Sequence, residues 1–276
     1  MHRFSLSVDT RAPTGTTNAY LLGAEDPAAD TLLVDPAAQS DDIDAAVAES
    51  GLDHVAVTHT HPDHVGAVAH YAGVDRDPTV WAHAGFADAF VAATGVEPDR
   101  TFTDGDRVGP ATVVATPGHA SDHVAFAFTD YGGGEVEHES ETEDGSERDR
   151  LLVGDLAIAE GSVVVGGPEA DLSEYLRSLR RVRAREPSRL HPGHGPPIED
   201  PAATLDRLVE HRLDRERAVL AAVEQGASDV DAVVDAAYEK DLTGVADLAR
   251  ATTVAHLEKL VAEGQIGPEW RCSDKQ

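Results

Sequence analysis

Residues 57–66 read VTHTHPDHVG, which places His59, His61, Asp63 and His64 within six consecutive positions. Imidazole and carboxylate are ligands for divalent first-row metals. Zinc suits this mixture best, with manganese or iron as alternatives. The spacing has a geometric reading. Side chains two apart at a strand end point the same way, so His59 and His61 can grip one ion. The turn that follows swings Asp63 and His64 toward a second. Two ions need more ligands than these four, and further candidates occur downstream. His119 follows an apolar run and a Pro-Gly turn in VVATPGH, Asp155 follows LLVG, and His194 lies in the loop HPGHGPP. Each stands where a loop leaves an apolar segment, which is where a sheet displays functional residues.

Such a set requires strands whose ends converge. Alternating or short apolar runs supply them over the first 200 residues: AYLLG, TLLVDP, HVAVTH, TVWAHA, ATVVATPGH, VAFAFTD, LLVGD and SVVVGG. Helical patterns lie between them in SDDIDAAVAES, with Ser40 as N-cap, in HVGAVAHYAG, and in DLSEYLRSLRRVRAR, capped by Asp171 or Ser173. The expected fold class is α/β with a mixed sheet. Residues 131–150, YGGGEVEHESETEDGSERDR, have no periodicity and read as an acidic loop insertion. From Pro201 the texture turns helical, with three amphipathic segments and a short closing run, GQIGPEW. The expected division is therefore a catalytic domain over 1–200 and a helical domain over 201–276.

Composition limits the setting. No apolar run approaches the ~20 residues of a membrane helix, and the charged, proline-containing N-terminus lacks a signal-peptide core. A cytoplasmic protein without a membrane partner is expected. Cys272 is the only cysteine, which excludes an intrachain disulfide and leaves histidine and carboxylate as the metal ligands. Fifty-one acidic side chains against 22 basic ones give a formal charge of −29, and only Lys240, Lys259 and Lys275 are lysines. Such a chain repels itself where the Debye length is ~30 Å and not in molar salt, where it is ~3 Å. The reading is adaptation to a high-salt cytoplasm, as in a halophilic archaeon.

The ordered set His59-x-His61-x-Asp63-His64, His119, Asp155 and His194 resembles the metal motifs of the metallo-β-lactamase superfamily. The resemblance covers roughly residues 1–200. It implies an αββα sandwich, with His59, His61 and His119 on one ion, Asp63, His64 and His194 on the other, and Asp155 bridging. Asp35 matches the aspartate that buttresses the metal loop. Two ions so held lower the pKa of a bridging water toward ~7 and yield hydroxide for hydrolysis. Asp63 is a catalytic candidate for orienting it. His123, four residues after His119, resembles a histidine found there in several branches and is a second catalytic candidate, either contacting a substrate oxygen or supporting the ligands from behind. His83 and His191 read as structural.

The tail narrows the resemblance. HPGHGPP followed by a helix bearing His211, Arg212 and Arg215 is similar to the β-lactamase-like protein 2 branch, which includes a single-strand endoribonuclease and carries a winged-helix-like C-terminal domain. His211, Arg212 and Arg215 are then substrate-binding candidates, since arginine can hold phosphate bidentately. The expected substrate is single-stranded RNA or a small-molecule ester or thioester. Residues 201–276 carry 15 Asp and Glu against 9 Lys and Arg, which argues against duplex DNA. A homodimer stays open. The alternative activity is a glyoxalase II-like thioester hydrolase, followed by a lactonase or β-lactamase, a one-iron persulfide dioxygenase, and a non-catalytic interaction protein.

Overall fold

The structure, a computed structural model, describes residues 1–74, 77–129, 149–238 and 241–271. Most of the acidic loop expected at 131–150 lies outside the described residues, as does Cys272. Six strands form the first sheet: β1 (His2–Ser7), β2 (Thr16–Leu22), β3 (Leu32–Val34), β4 (His54–Ala56), β5 (Thr79–His83) and β6 (Arg100–Phe102), in that spatial order. β1, β2 and β3 run antiparallel to one another in turn, and β3 to β6 run parallel. The second sheet contains β7 (Arg107–Val108), β8 (Ala111–Ala115), β9 (Val124–Phe128), β10 (Arg150–Gly154) and β11 (Arg189–Pro192), in the order β11-β10-β9-β8-β7. Only β10 and β11 pair in parallel there.

Period-two alternation sends successive side chains of one strand into different cores, so central strands are apolar on both faces. From β2, Tyr20 and Leu22 meet Val113, Phe126 and Leu152 of the second sheet. Ala19 and Leu21 face outward, onto a layer with Ile43 of α1 (Asp41–Ser50), Val65 of α2 (Pro62–Val65), Tyr71 of α3 (Val68–Ala72) and Phe90 of α4 (Ala87–Thr94). On the far side, Val114, Ala125 and Val153 pack on Leu176 and Leu179 of α5 (Leu172–Arg183) and on Leu205 and Leu208 of α6 (Pro201–Glu224). The layers are therefore helix, sheet, sheet, helix. Ser40 caps α1 by accepting from the Asp42 N–H at 3.3 Å, and Asp171 caps α5 through the Glu174 N–H at 3.0 Å.

The tail is helical, with α6 followed by α7 (Val230–Ala237) and α8 (Ala246–Ala262). Val219 and Ala222 of α6 pack with Val233, Leu257 and Leu260. α6 is one continuous helix whose first half lies in the sandwich core and whose second half lies in this helical core. The change of texture at Pro201 marks where strands stop, and packing continues across it.

Two sequence expectations are corrected. No strand occurs among the described residues of 201–271, so the closing run GQIGPEW does not form there the strand pair that a winged-helix-like domain carries. Gly264, Gly267 and Pro268 interrupt the closing run, and Trp270 packs against the helical core. SVVVGG also forms no strand. Val163 and Val165 are buried as a strand's would be, and the segment's carbonyls bond to side chains, as described below. Among the described residues, no helix is long and apolar enough to cross a membrane.

Candidate metal centre

The candidate ligands come from loops leaving four strands at one edge of the sandwich. His59, His61, Asp63 and His64 follow β4, His119 follows β8, Asp155 directly follows β10, and His194 follows β11. The turn after β10 is tight. Gly154 has φ 44°, and a Cβ there would stand 2.6 Å from Thr58 Oγ1 and 2.8 Å from His123 Nε2. Gly193 lies equally close to the site, where a Cβ would meet Asp155 Oδ1 and His64 Cε1 at 2.7 Å.

Hydrogen bonding fixes which nitrogen each imidazole offers. The Asp35 carboxylate, buried after β3 at φ 53°, accepts from the Thr58 N–H at 2.6 Å, the Thr58 hydroxyl at 2.8 Å and His64 Nδ1–H at 3.0 Å. The Thr58 hydroxyl has one proton, which Asp35 receives, so His59 Nδ1–H must donate to Thr58 Oγ1 at 3.0 Å. His119 Nδ1–H donates to the Val164 carbonyl and His194 Nδ1–H to the Thr16 carbonyl, both at 2.8 Å. Four imidazoles are thereby left with Nε2 facing the site, and holding the other nitrogen this way orients a metal-binding histidine. His61 presents Nδ1, 3.0 Å from both His59 Nε2 and His119 Nε2. Asp63 Oδ2 accepts from the Thr10 hydroxyl at 2.6 Å.

Among the described residues the ligand atoms form two outer groups, His59, His61 and His119, and Asp63, His64 and His194, joined by a third of His59, His64 and Asp155, each with atoms within 4.8 Å of one another. Asp155 lies between the outer two. Its Oδ2 is 3.5 Å from His119 Nε2, and its Oδ1 is 3.5 Å from His64 Nε2 and 3.4 Å from His194 Nε2. His194 Nε2 is 3.6 Å from Asp63 Oδ2.

Two features fit these residues to metal. Ligand atoms ~2.0–2.1 Å from a tetrahedral zinc lie roughly 3.3 Å apart, close to the separations found here. Polar satisfaction also fails without an ion. A single proton on His61 Nδ1 cannot serve two imidazoles, and His64 Nε2 and Asp155 Oδ1 are buried with no hydrogen-bond partner. The electrostatics agree. Burial, then the His64 and His119 rings, holds His59 well below the ordinary imidazole pKa. Burial also opposes charge on His64 and on Asp155, but their partners outweigh it. Asp35 and Asp155 raise His64 well above its usual value, and His194 and His64 hold Asp155 well below the carboxylate range. A cation entering this site would displace the His64 proton and take up the Asp155 charge.

The expected catalytic role of His123 is corrected. It is buried, its Nε2 accepts the Asp155 N–H at 3.1 Å, and its Nδ1–H donates to Thr116 Oγ1 at 2.9 Å. Both nitrogens are engaged, and burial followed by the His119 charge pushes its pKa down to about 3. It holds the backbone of Asp155 and has no nitrogen left for substrate.

The expected phosphate grip is corrected as well. Arg212 is 2% exposed, donates to the Val163 carbonyl and stacks over Tyr175 at 5.4 Å. Arg215 donates to the Ala237 carbonyl and lies 3.6 Å over the Tyr238 ring. Packing partners that helical spacing does not reveal have taken both guanidinium groups. His211 sits half-buried on the same helix. Sequence reasoning missed Thr10, Thr58 and the Thr16 and Val164 carbonyls. Thr58, adjacent to His59, carried the only visible signal.

Residues 12–135 match the Metallo-beta-lactamase superfamily. The chain is 28% identical over 275 residues to the Beta-lactamase-like protein 2 homolog of Drosophila melanogaster, covering 91% of this chain and 84% of that one. It is 28% identical over 218 residues to an Atrochrysone carboxyl ACP thioesterase of Aspergillus fumigatus, covering 75% of this chain and 60%, less than two thirds, of the fungal protein. In structure it resembles a metallo-beta-lactamase family protein of Thermus thermophilus, with a TM-score of 0.68, 27% identity, and 96% and 95% of the two chains covered. The fold is the metallo-β-lactamase sandwich with a helical C-terminal region.

Proposed function

We propose that this chain, with the metallo-β-lactamase fold and a complete set of ligands for two ions, is a binuclear metal-dependent hydrolase. The carrying observation is the pair of three-ligand groups with Asp155 between them. Two divalent ions bound there, most simply zinc, supply Lewis acidity and a nucleophilic water near neutral pH. The protein's own contribution is positional. Asp35, Thr58, Thr16 and Val164 hold four imidazoles in fixed tautomers. Thr10 holds Oδ2 of Asp63, and Asp63 is the carboxylate to which we assign the orienting of the attacking water.

An ester or thioester is the favoured substrate class. The arginines that would have gripped a phosphodiester are engaged in packing, and the likeness to a protein named as a thioesterase supports the same reading. Single-stranded RNA is the second reading; it rests on the resemblance of the tail to the β-lactamase-like protein 2 branch, and the fly relative of that name covers 91% of this chain. The test is to assay zinc- or manganese-loaded protein in molar KCl on an acyl thioester and on a labelled single-stranded RNA, with Asp63→Ala as control. Thioester turnover by wild type alone supports the favoured reading. Internal RNA cleavage by wild type alone transfers support to the second. Protein that retains no metal and turns over neither substrate would sink the hydrolase.

The charge of −29 supports a high-salt setting. Raising KCl from 0.1 M to 2 M should then raise the unfolding midpoint, and a midpoint indifferent to KCl would refute that adaptation.

A further inference from the structure

The segment 155–167 begins at the bridging candidate Asp155 and returns past His119, and side chains bond to its carbonyls along most of its length. The Tyr175 hydroxyl donates to the Leu156 carbonyl at 2.8 Å. Arg207, exposed on α6, donates to the carbonyls of Ile158, Ala159 and Gly161 at 3.2, 3.1 and 2.6 Å. Further along the same helix, buried Arg212 donates to the Val163 carbonyl. The next carbonyl, Val164, is the acceptor for His119 Nδ1–H. Beyond it, Gly166 is pressed against α8, where a Cβ would stand 2.6 Å from the Ala251 carbonyl carbon and 2.8 Å from the Thr252 nitrogen.

This segment has no ladder partner, so the helices set its course. Carbonyls of an unpaired apolar segment can rotate by small changes in φ and ψ, and a rotated Val164 would release His119 to the other tautomer or another ring angle. Arg212 prevents that at the adjacent peptide. Its planar fork and its stacking on Tyr175 restrict it to one orientation. The buried guanidinium also keeps an unpartnered Nε. Retaining a cation at this cost fits a positional purpose better than simple packing.

We propose that Arg212 is a positioning residue for the metal centre, acting through Val163 and Val164 to hold His119 with Nε2 toward the first ion, with Arg207 anchoring the base of the same segment. This inference rests on the binuclear reading above, and it gives the C-terminal helices a role in assembling the site rather than in gripping substrate.

The test uses the full chain loaded with cobalt(II), comparing wild type, Arg212→Met, Arg212→Lys, Arg207→Met and Arg215→Met. Bound ions per chain are counted, each affinity is measured by competition with a chromophoric chelator, and the visible absorption and the paramagnetically shifted imidazole N–H resonances are recorded. For Arg212→Met, one of the two ions should bind about 10–100-fold more weakly, the range for loss of a group that orients a ligand. One shifted N–H resonance should broaden through solvent exchange. Arg212→Lys should recover part of both effects. Arg207→Met should show a smaller loss at the same ion, and Arg215→Met should match wild type. The exposed Arg207 keeps the idea testable if Arg212→Met fails to fold. Wild-type affinities and an unchanged N–H spectrum in Arg207→Met, or in folded Arg212→Met, would overturn the proposal. Wild type that binds no cobalt would instead overturn the binuclear reading.

Discussion

The two candidate ion positions are built from similar ligands but supported differently. Around Asp63, His64 and His194, the supports are the Thr10 hydroxyl, the Asp35 carboxylate and the Thr16 carbonyl, all from the first 35 residues and the first sheet with its loops. Around His59, His61 and His119, the support is divided. His59 rests on Thr58 and through it on Asp35, whereas His119 rests on a carbonyl 45 residues away in a segment bonded to α6. One position is completed by the first sheet and its loops, and the other draws also on a segment bonded to α6. The lesson is that a ligand set can be symmetric while its supports are not, so substitutions should separate the two positions.

The largest expected effect ignores that asymmetry. Asp155 faces both groups, so Asp155→Asn should lower kcat/KM on the order of a thousandfold, the several kcal/mol that metal-assisted charge stabilisation supplies, and should reduce bound metal below two ions per chain. Full metal content and activity would break the bridging assignment. Asp35→Ala comes next, because Asp35 serves His64 directly and His59 through Thr58. About 10–100-fold weaker binding of both ions is expected. Metal-free stability should fall by roughly 3–5 kcal/mol, as when one partner of a buried ion pair is removed. Chelator competition and denaturant unfolding read the two effects.

Thr10→Val sharpens the comparison from the other side. It removes a hydrogen bond to a carboxylate, roughly 1.5 kcal/mol or about tenfold. The loss should fall on the ion opposite to the one that Arg212→Met weakens. Equal weakening of both ions would show that the two positions are mechanically one.

The smallest effect is expected from a residue that supports neither position. His191 is buried between Tyr20 and Phe128, neither ring nitrogen has a hydrogen-bond partner, and burial pushes its pKa down to about 3. The unfolded chain takes up this proton near pH 6.5 and the folded chain does not. The stability tied to neutral His191 is therefore complete above about pH 6.5 and declines as pH falls toward 3, by at most about 1.4 kcal/mol per pH unit. Metal-free His191→Leu should lose that share of the acid slope while binding both ions as wild type does. An unchanged slope in acid unfolding would refute the assignment.

The ligands are legible in the sequence because metal chemistry demands particular side chains, and those side chains stand at strand ends. The caps Ser40 and Asp171 and the layered α/β core are legible too, since they follow from local rules. The supports are hidden for the same reason that the ligands show. Any residue can offer a carbonyl, so nothing in the letters at Thr16 or Val164 marks them. Arg212 and Arg215 mislead because helical spacing defines a shared face but not what packs against it. SVVVGG has the composition of a strand, and only the tertiary placement of Arg212 and His119 shows why its carbonyls join no ladder. The spacing from His119 suggests chemistry for His123, whereas its role is set by the Asp155 N–H that it accepts.

The shared helix α6 has a further consequence for unfolding. Leu205 and Leu208 fill the groove over the second sheet, and Val219 and Ala222 of the same rod fill the core among α7 and α8. Melting either end of α6 frees backbone that the other end depends on, so the two cores form one cooperative unit. Calorimetry should record a single transition. A fragment cut at residue 200 would expose an apolar groove and become sticky instead of folding as a smaller hydrolase. On that outcome the helices beyond Pro201 belong to the minimal foldable unit.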